Sequence, residues 1–261
     1  MINIKYKGRL GNNIFQYCLG RIIAEKLNYK LVGKLDNFTN CIELDGQNFS
    51  YPIQTLLMHN IDINKILNNK ESRKIILKGY FHNITYYFNS KNKIKKWLEI
   101  NNSYRIPTAE DLVLHVRGGD IYNKNPNCNH PPVPFYYYKN IIESESFNKL
   151  YIVTEFTSDI MVKKLSEKYK SEIISQSPIE DYFFMLNSKK LVLSLSTLSW
   201  WSGWMSNAEK IYFPMYGFWH PNSIRTDVNL VVNEDRYIYK DLGVMDNWNA
   251  SVEQIKNLYE E

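Results

Sequence analysis

The chain has 261 residues, 44% hydrophobic, 15% aromatic and 23% charged, which excludes disordered, collagen-like and coiled-coil classes and leaves room for one large or two small globular domains. Its 32 basic and 27 acidic residues give a formal charge of +5 with no long block of like charge, so nucleic acid is not demanded as a partner, while anionic small molecules are compatible. No apolar run approaches the roughly 20 residues that cross a bilayer, and Met1–Leu10 lacks the apolar stretch of a secretory signal. Cys18, Cys41 and Cys128 are odd in number, with no C-x-x-C spacing, so neither a disulfide framework nor a zinc site is readable. A soluble, cytoplasmic chain is expected.

Ile2–Tyr6 alternates as a short strand, Gly8–Asn13 breaks the pattern as a glycine turn, and Ile14–Leu27 carries apolar residues at helical spacing. Lys30–Leu35 reads as a strand, Tyr51–Ser72 as a polar helical stretch, Lys74–Gly79 as a strand and Thr85–Glu99 as a helix. Tyr104–Glu110, which contains Pro107, is the expected boundary between domains 1–106 and 107–261. Beyond it, Asp111–Val116 is a near-continuous apolar run, the pattern of a parallel strand buried on both faces. A proline-rich loop leads to a helix at Tyr136–Ser144. Strands at Lys149–Thr154, Glu172–Ile174 and Leu191–Leu195 then alternate with helices at Asp159–Tyr169, Glu180–Asn187 and Ser199–Asn207, and Ile211–Phe213 closes the series. This alternation predicts an α/β protein of two Rossmann-like halves.

Ligands of open parallel sheets bind beyond the carboxyl ends of the strands, and four clusters stand there. Gly11, Asn12 and Asn13 lie in a glycine turn before a helix, which suits close approach to an anion or serves as a plain strand-to-helix turn. His115-Val116-Arg117-Gly118-Gly119-Asp120 ends the buried strand. Its arginine can fork onto a phosphate, or pair with Asp120 to hold the turn. Glu155 follows the strand at Lys149–Thr154; it can accept from the N–H edge of a guanine or stand as a helix-terminal acid. Ser196 and Thr197 offer hydroxyls and helix N–H groups to a phosphate, or form an ordinary cap. No G-x-x-x-x-G-K-[ST], H-E-x-x-H, G-x-S-x-G or Asp-x-Asp occurs.

GRLGNNIFQY (8–17), GYF (79–81), HVRGGD (115–120), HPPVPFYYY (130–138), SPIEDYFFM (177–185) and STLSWW (196–201) together resemble the α-1,2-fucosyltransferases of glycosyltransferase family 11. The matches are collinear over positions 8 to about 205. The resemblance implies a GT-B-type fold, two Rossmann-like domains across a cleft, and metal-independent, inverting transfer of L-fucose from GDP-β-L-fucose to a hydroxyl, usually O2 of a galactoside. It also implies that Arg117 stabilises the departing β-phosphate and that His115 and Glu155 meet the guanosine. Ser196 and Thr197 would hold the diphosphate, and Gly11, Asn12 and Asn13 would lie near the fucose. Asp120 is the candidate base, or else orients Arg117.

No metal or other cofactor is expected. The implied partners are GDP-fucose and a glycan acceptor, lipid-linked in some cases, and basic Lys91–Trp97 is compatible with peripheral membrane contact or with a solvated helix face. The chain departs from the family pattern at Gly118, where a second arginine is usual and where Lys124 could compensate. It departs again at Glu155-Phe156, in place of an Asp pair, and at Leu195 and Leu198, in place of Asn and Phe. Alternatives are transfer from another nucleotide sugar, another linkage, and a silent glycan- or nucleotide-binding protein of the same fold.

Overall fold

A computed structural model describes residues 1–48, 54–69, 71, 73–101, 103–123 and 125–260. The chain forms two compact units, residues 1–102 with 227–230, and residues 103–226 with 231–261. Each is a Rossmann-like arrangement of parallel strands and helices.

The first unit contains β1 (Ile2–Ile4), α1 (Leu10–Leu27), β2 (Leu31–Val32), β3 (Gln54–Leu57), α2 (Ile63–Asn68), β4 (Lys74–Leu77) and α3 (Lys91–Trp97). Among the described residues its sheet has the order β2-β1-β4-β3, with every pairing parallel. Helix α1 is buried along most of its length by Ile14, Phe15, Tyr17, Cys18, Leu19 and Ile23. Gly20 lets it approach the sheet so closely that a Cβ there would sit 2.9 Å from Ile4 Cδ1.

Two expectations are corrected here. The described part of 51–72 contains strand β3 before a short helix, because Gln54–Leu57 finds a parallel partner in β4 and tertiary pairing overrides local propensity; residues 51–53, 70 and 72 lie outside the described residues. Thr85–Glu99 is not one helix but two single 3₁₀ turns, Ile84–Tyr86 and Phe88–Ser90, followed by α3. The Asn83 side chain accepts from Thr85 N (3.1 Å) and starts this broken segment. Trp97 is buried beneath the Arg21 guanidinium, 4.4 Å from its ring centroid, while Lys93 pairs with Glu25 at 3.0 Å. That aromatic is therefore closed off from a lipid surface.

Residues 227–230 belong to the first unit by backbone pairing. Asn229 N donates to His82 O, and Ile84 N donates to Asn229 O, each at 2.8 Å.

The second unit contains β5 (Leu112–His115), α4 (Phe135–Ser144), β6 (Leu150–Val153), α5 (Ile160–Tyr169), β7 (Glu172–Ile174), α6 (Pro178–Leu186), β8 (Lys190–Val192), α7 (Thr197–Met205), β9 (Lys210–Met215), β10 (Tyr237–Asp241) and α8 (Val252–Leu258). Among the described residues its sheet is parallel in the order β10-β9-β8-β5-β6-β7. β5 and β6 are wholly buried, as their continuous apolar runs predict. Trp200, Trp201 and Trp204 of α7 pack against one another in the core, with ring centroids 5.1–5.5 Å apart. The strand series does not close at Phe213: β10 adds an edge strand beside β9. Among the described residues no helix is long and apolar enough to cross a membrane.

Candidate active site

In the second unit the strand order reverses at β5. The chain runs outward through β6 and β7, then returns to place β8 on the other side, and such reversals are where open α/β sheets bind ligands. His115, the last residue of β5, is buried there, with its Nδ1 2.6 Å from Ser194 Oγ just beyond β8. Burial, reinforced by the nearby Arg117 charge, holds this imidazole down at about 3, so it is neutral at physiological pH. Tyr138 Oη donates to His115 O (3.1 Å), and Tyr137 Oη lies 3.0 Å from Leu193 O and 3.1 Å from Tyr212 O. The buried tyrosines of the HPPVPFYYY segment thus satisfy the strand-end carbonyls, and they are not free faces for a sugar.

Arg117 follows two residues later. Its side chain is 14% exposed; Nη1 donates to Gly118 O at 3.0 Å, Nη2 bonds the Asp120 carboxylate, and Glu155 Oε2 stands 3.9 Å from Nη1. The structure therefore gathers His115, Arg117, Asp120 and Glu155 around the end of β5. Ser196 takes the N-cap position of α7 but makes no side-chain capping bond, and its N–H donates to Ser194 O at 2.7 Å. That turn links the partner of His115 to the N-terminus of α7. Helix α7 starts at Thr197, two residues before the Ser199 expected from the sequence, so Thr197 lies in its first turn. The cluster presents a partly buried guanidinium, two carboxylates, a neutral imidazole and a helix N-terminus, a set that can bind an anionic group and receive developing negative charge.

Both glycines of the motif are crowded by neighbouring side chains. Gly119 has φ +76°, and a Cβ there would run into the Phe156 ring. Gly118 has ordinary extended backbone, φ −129°, but a Cβ there would meet the Asp159 carboxylate. Asp159 caps α5 by accepting from Met161 N at 2.8 Å and also takes the Gly119 N–H. An arginine at 118 would have to displace that cap. Lys124 lies outside the described residues.

The C-terminal segment braces this turn. Buried Trp248 donates from Nε1 to Ile121 O at 2.8 Å, and its N–H bonds Cys128 O at 3.0 Å. His130 is committed to Leu195 O, 2.6 Å from its Nε2, and burial depresses its pKa to about 4.

The first unit repeats the pattern. Its order reverses between β1 and β4, and Gly8, at φ +75°, turns the chain after β1. Helix α1 then begins at Leu10, so Gly11, Asn12 and Asn13 form its first turn, a correction to the separate turn expected from the sequence. Gln16 anchors the turn by bonding Lys7 N and O at 2.9 and 2.8 Å. Asn12 Oδ1 lies 2.9 Å from His82 Nε2, in the loop after β4. Phe81, beside it, adopts φ +57°, and Tyr87 Oη bonds Phe81 O at 2.9 Å. Among the described residues, Asn13 Oδ1 is buried without a hydrogen-bond partner.

Sequence reasoning missed Gln16, His82, Asp159 and Ser194. Gln16 lies within the GRLGNNIFQY motif and His82 adjoins GYF, while Ser194 is a lone polar residue in an apolar run.

No protein-family model matches the chain. It is similar to an alpha-1,2-colitosyltransferase of Escherichia coli, with 27% identity and a match that covers 77% of this chain and 86% of that protein.

Proposed function

We propose that the protein is a glycosyltransferase that moves L-fucose from GDP-β-L-fucose to a glycan hydroxyl, O2 of a galactoside, with inversion at the anomeric carbon. The observation that carries this reading is the largely enclosed Arg117 guanidinium beside Gly118-Gly119 at the strand reversal of a parallel sheet. The similarity to an alpha-1,2-colitosyltransferase supports sugar transfer as the reaction class.

In this reading the chain has the GT-B organisation. Gly11, Asn12 and Asn13 of the first unit meet the sugar, and the second unit binds the nucleotide. Arg117 and the N-terminus of α7, with Ser196 and Thr197, bind the diphosphate. As the C1–O bond to the β-phosphate breaks, negative charge grows on the leaving oxygen and the guanidinium stabilises it. The acceptor oxygen forms the new bond to C1 from the opposite face, and its proton passes to a carboxylate or to water. Asp120, bonded to Arg117, orients the guanidinium and is the nearest candidate for that proton. Neutral His115 and the Glu155 carboxylate meet the guanosine.

A second reading, transfer of a colitosyl group, is favoured by the name of the relative. GDP release is to be measured from GDP-fucose, GDP-colitose, GDP-mannose and UDP-galactose over a panel of β-galactosides, for the wild type and Arg117→Ala. Acceptor-dependent release from one GDP-deoxyhexose, reduced about 10²- to 10³-fold in the variant, is the expected result. Release from no donor despite GDP binding would leave a silent binding protein, and the absence of GDP binding would remove the donor site itself.

A further inference from the structure

Away from the arginine cluster, the second unit has a cleft of about 220 Å³ lined by Tyr136, Tyr137, Asn140 and Ile141 of α4 and by Tyr239, Lys240, Asp241 and Leu242 at the carboxyl end of β10. The i, i+4 spacing stacks Asn140 over Tyr136 and Ile141 over Tyr137. Tyr136 is 37% exposed while Tyr137 is buried, so the first pair faces the open side.

Asp241 is the fixed charge of this cleft. Its Oδ1 accepts from Gly243 N at 2.9 Å and lies 3.3 Å from His220 Nε2; His220 Nδ1 in turn accepts from Asn222 N, which places the ring proton on Nε2. The Gly243 N–H first, and His220 second, keep the carboxyl pKa below its usual value. The Asp241 side chain is nevertheless 64% exposed. Its charge also raises the pKa of the Tyr136 hydroxyl, secondarily to burial, so the two groups share one environment.

This is the equipment of a neutral, polyhydroxylated ligand. An exposed phenol ring offers a flat apolar face, an ionised carboxylate accepts from two adjacent hydroxyls, and an amide and an ammonium complete a mixed donor–acceptor rim. The Asp241 carboxylate and the Lys240 ammonium offset each other, so the rim carries no net charge to select an anion. A volume below the roughly 300–1,000 Å³ of drug-sized pockets fits a single ring with its chain continuing outside.

The place in the sheet supplies the connection. β10 stands three strands from β5, about 14 Å at ~4.8 Å per strand, and both end at the same edge. Between them lies the Gly217–Trp219 turn, where Phe218 packs edge-on to His130 at 4.9 Å.

We propose that this cleft is a second carbohydrate subsite, holding a pyranose ring of an oligosaccharide acceptor some rings away from the hydroxyl that is glycosylated. Tyr136 lies under the C–H face of that ring, Asp241 accepts from a vicinal diol, and Asn140 and Lys240 bond the remaining hydroxyls. The proposal rests on the transferase reading above.

The test compares methyl β-galactoside with N-acetyllactosamine and lacto-N-tetraose as acceptors, for the wild type, Tyr136→Ala and Asp241→Asn, with thermal unfolding as the folding control. KM for the longest acceptor is expected to rise about tenfold or more, while kcat, and KM for methyl β-galactoside, stay unchanged. An equal change for short and long acceptors, or none for any, overturns the proposal. If no donor supports transfer, the proposed function fails and the subsite is judged by saturation-transfer NMR with lacto-N-tetraose on the full chain. Ring contacts present in the wild type and lost in both variants support it. Contacts absent, or unaltered by the substitutions, overturn it.

Discussion

Asn12 and His82, 70 residues apart, are joined by a 2.9 Å hydrogen bond across the β1/β4 reversal of the first unit, just as His115 and Ser194 are joined across the β5/β8 reversal of the second. His82→Ala removes the hold on Asn12 and is expected to lower kcat about ten- to a hundredfold, with GDP affinity unchanged. His82→Gln, whose amide can still donate to Asn12 Oδ1, should recover most of the turnover. A glutamine variant as poor as the alanine one, at matched thermal stability, would show that the imidazole acts otherwise.

Gly118 and Asp159 form a second dependent pair. Gly118→Ala meets no backbone penalty, so its cost is steric, about 1–3 kcal/mol, exacted by pushing the Asp159 carboxylate off the end of α5. Asp159→Ala alone costs about 1 kcal/mol as a lost cap. The double variant should be less destabilised than the sum of the two, because the clashing group is gone. Urea denaturation of all four proteins tests this, and strict additivity would refute the contact.

Acid should destabilise the protein through its buried histidines. Burial holds His115 at about 3 and His130 at about 4, against an ordinary value near 6.5. Between those limits the unfolded chain binds protons that the folded one refuses, so stability present above about pH 6.5 is lost as the pH falls. Asp181 works in the opposite sense. Burial raises it to about 6, so the folded protein holds its proton between about pH 6 and 4 while the unfolded chain does not. Among these three groups the two histidines prevail by close to one proton, about 1.4 kcal/mol per pH unit. Asp181→Asn should steepen it towards two, as measured by denaturant midpoints from pH 7 to 4.5; a flat profile in the wild type would contradict the neutral burial of His115 and His130.

The parts of the fold that were legible are those whose signal is local. β5 and β6 are continuous apolar runs, and Gly8 marks the turn after β1. His115, Arg117 and Glu155 can be singled out because they end or follow such strands, and the structure gathers them with Asp120. β3 and β10 are not legible because neither is a continuous apolar run: polar Gln54-Thr55 opens the one, and Tyr237–Asp241 ends in exposed Lys240 and Asp241. The bonds His82–Asn12 and Ser194–His115 were illegible for another reason: their partners are 70 and 79 residues apart, and only the order of the strands brings them together.

The pairing of His82 and Ile84 with Asn229 has a consequence for how the chain is made. During synthesis, amino-terminal domains fold first, as they leave the ribosome. Here the loop that carries His82 cannot close its last backbone bonds until residue 229 has emerged, long after the strands of its own unit are complete. A nascent chain thus passes through a period in which β1 to β4 can be formed but Asn12 lacks a fully anchored partner. A fragment released at that stage would lack the finished turn.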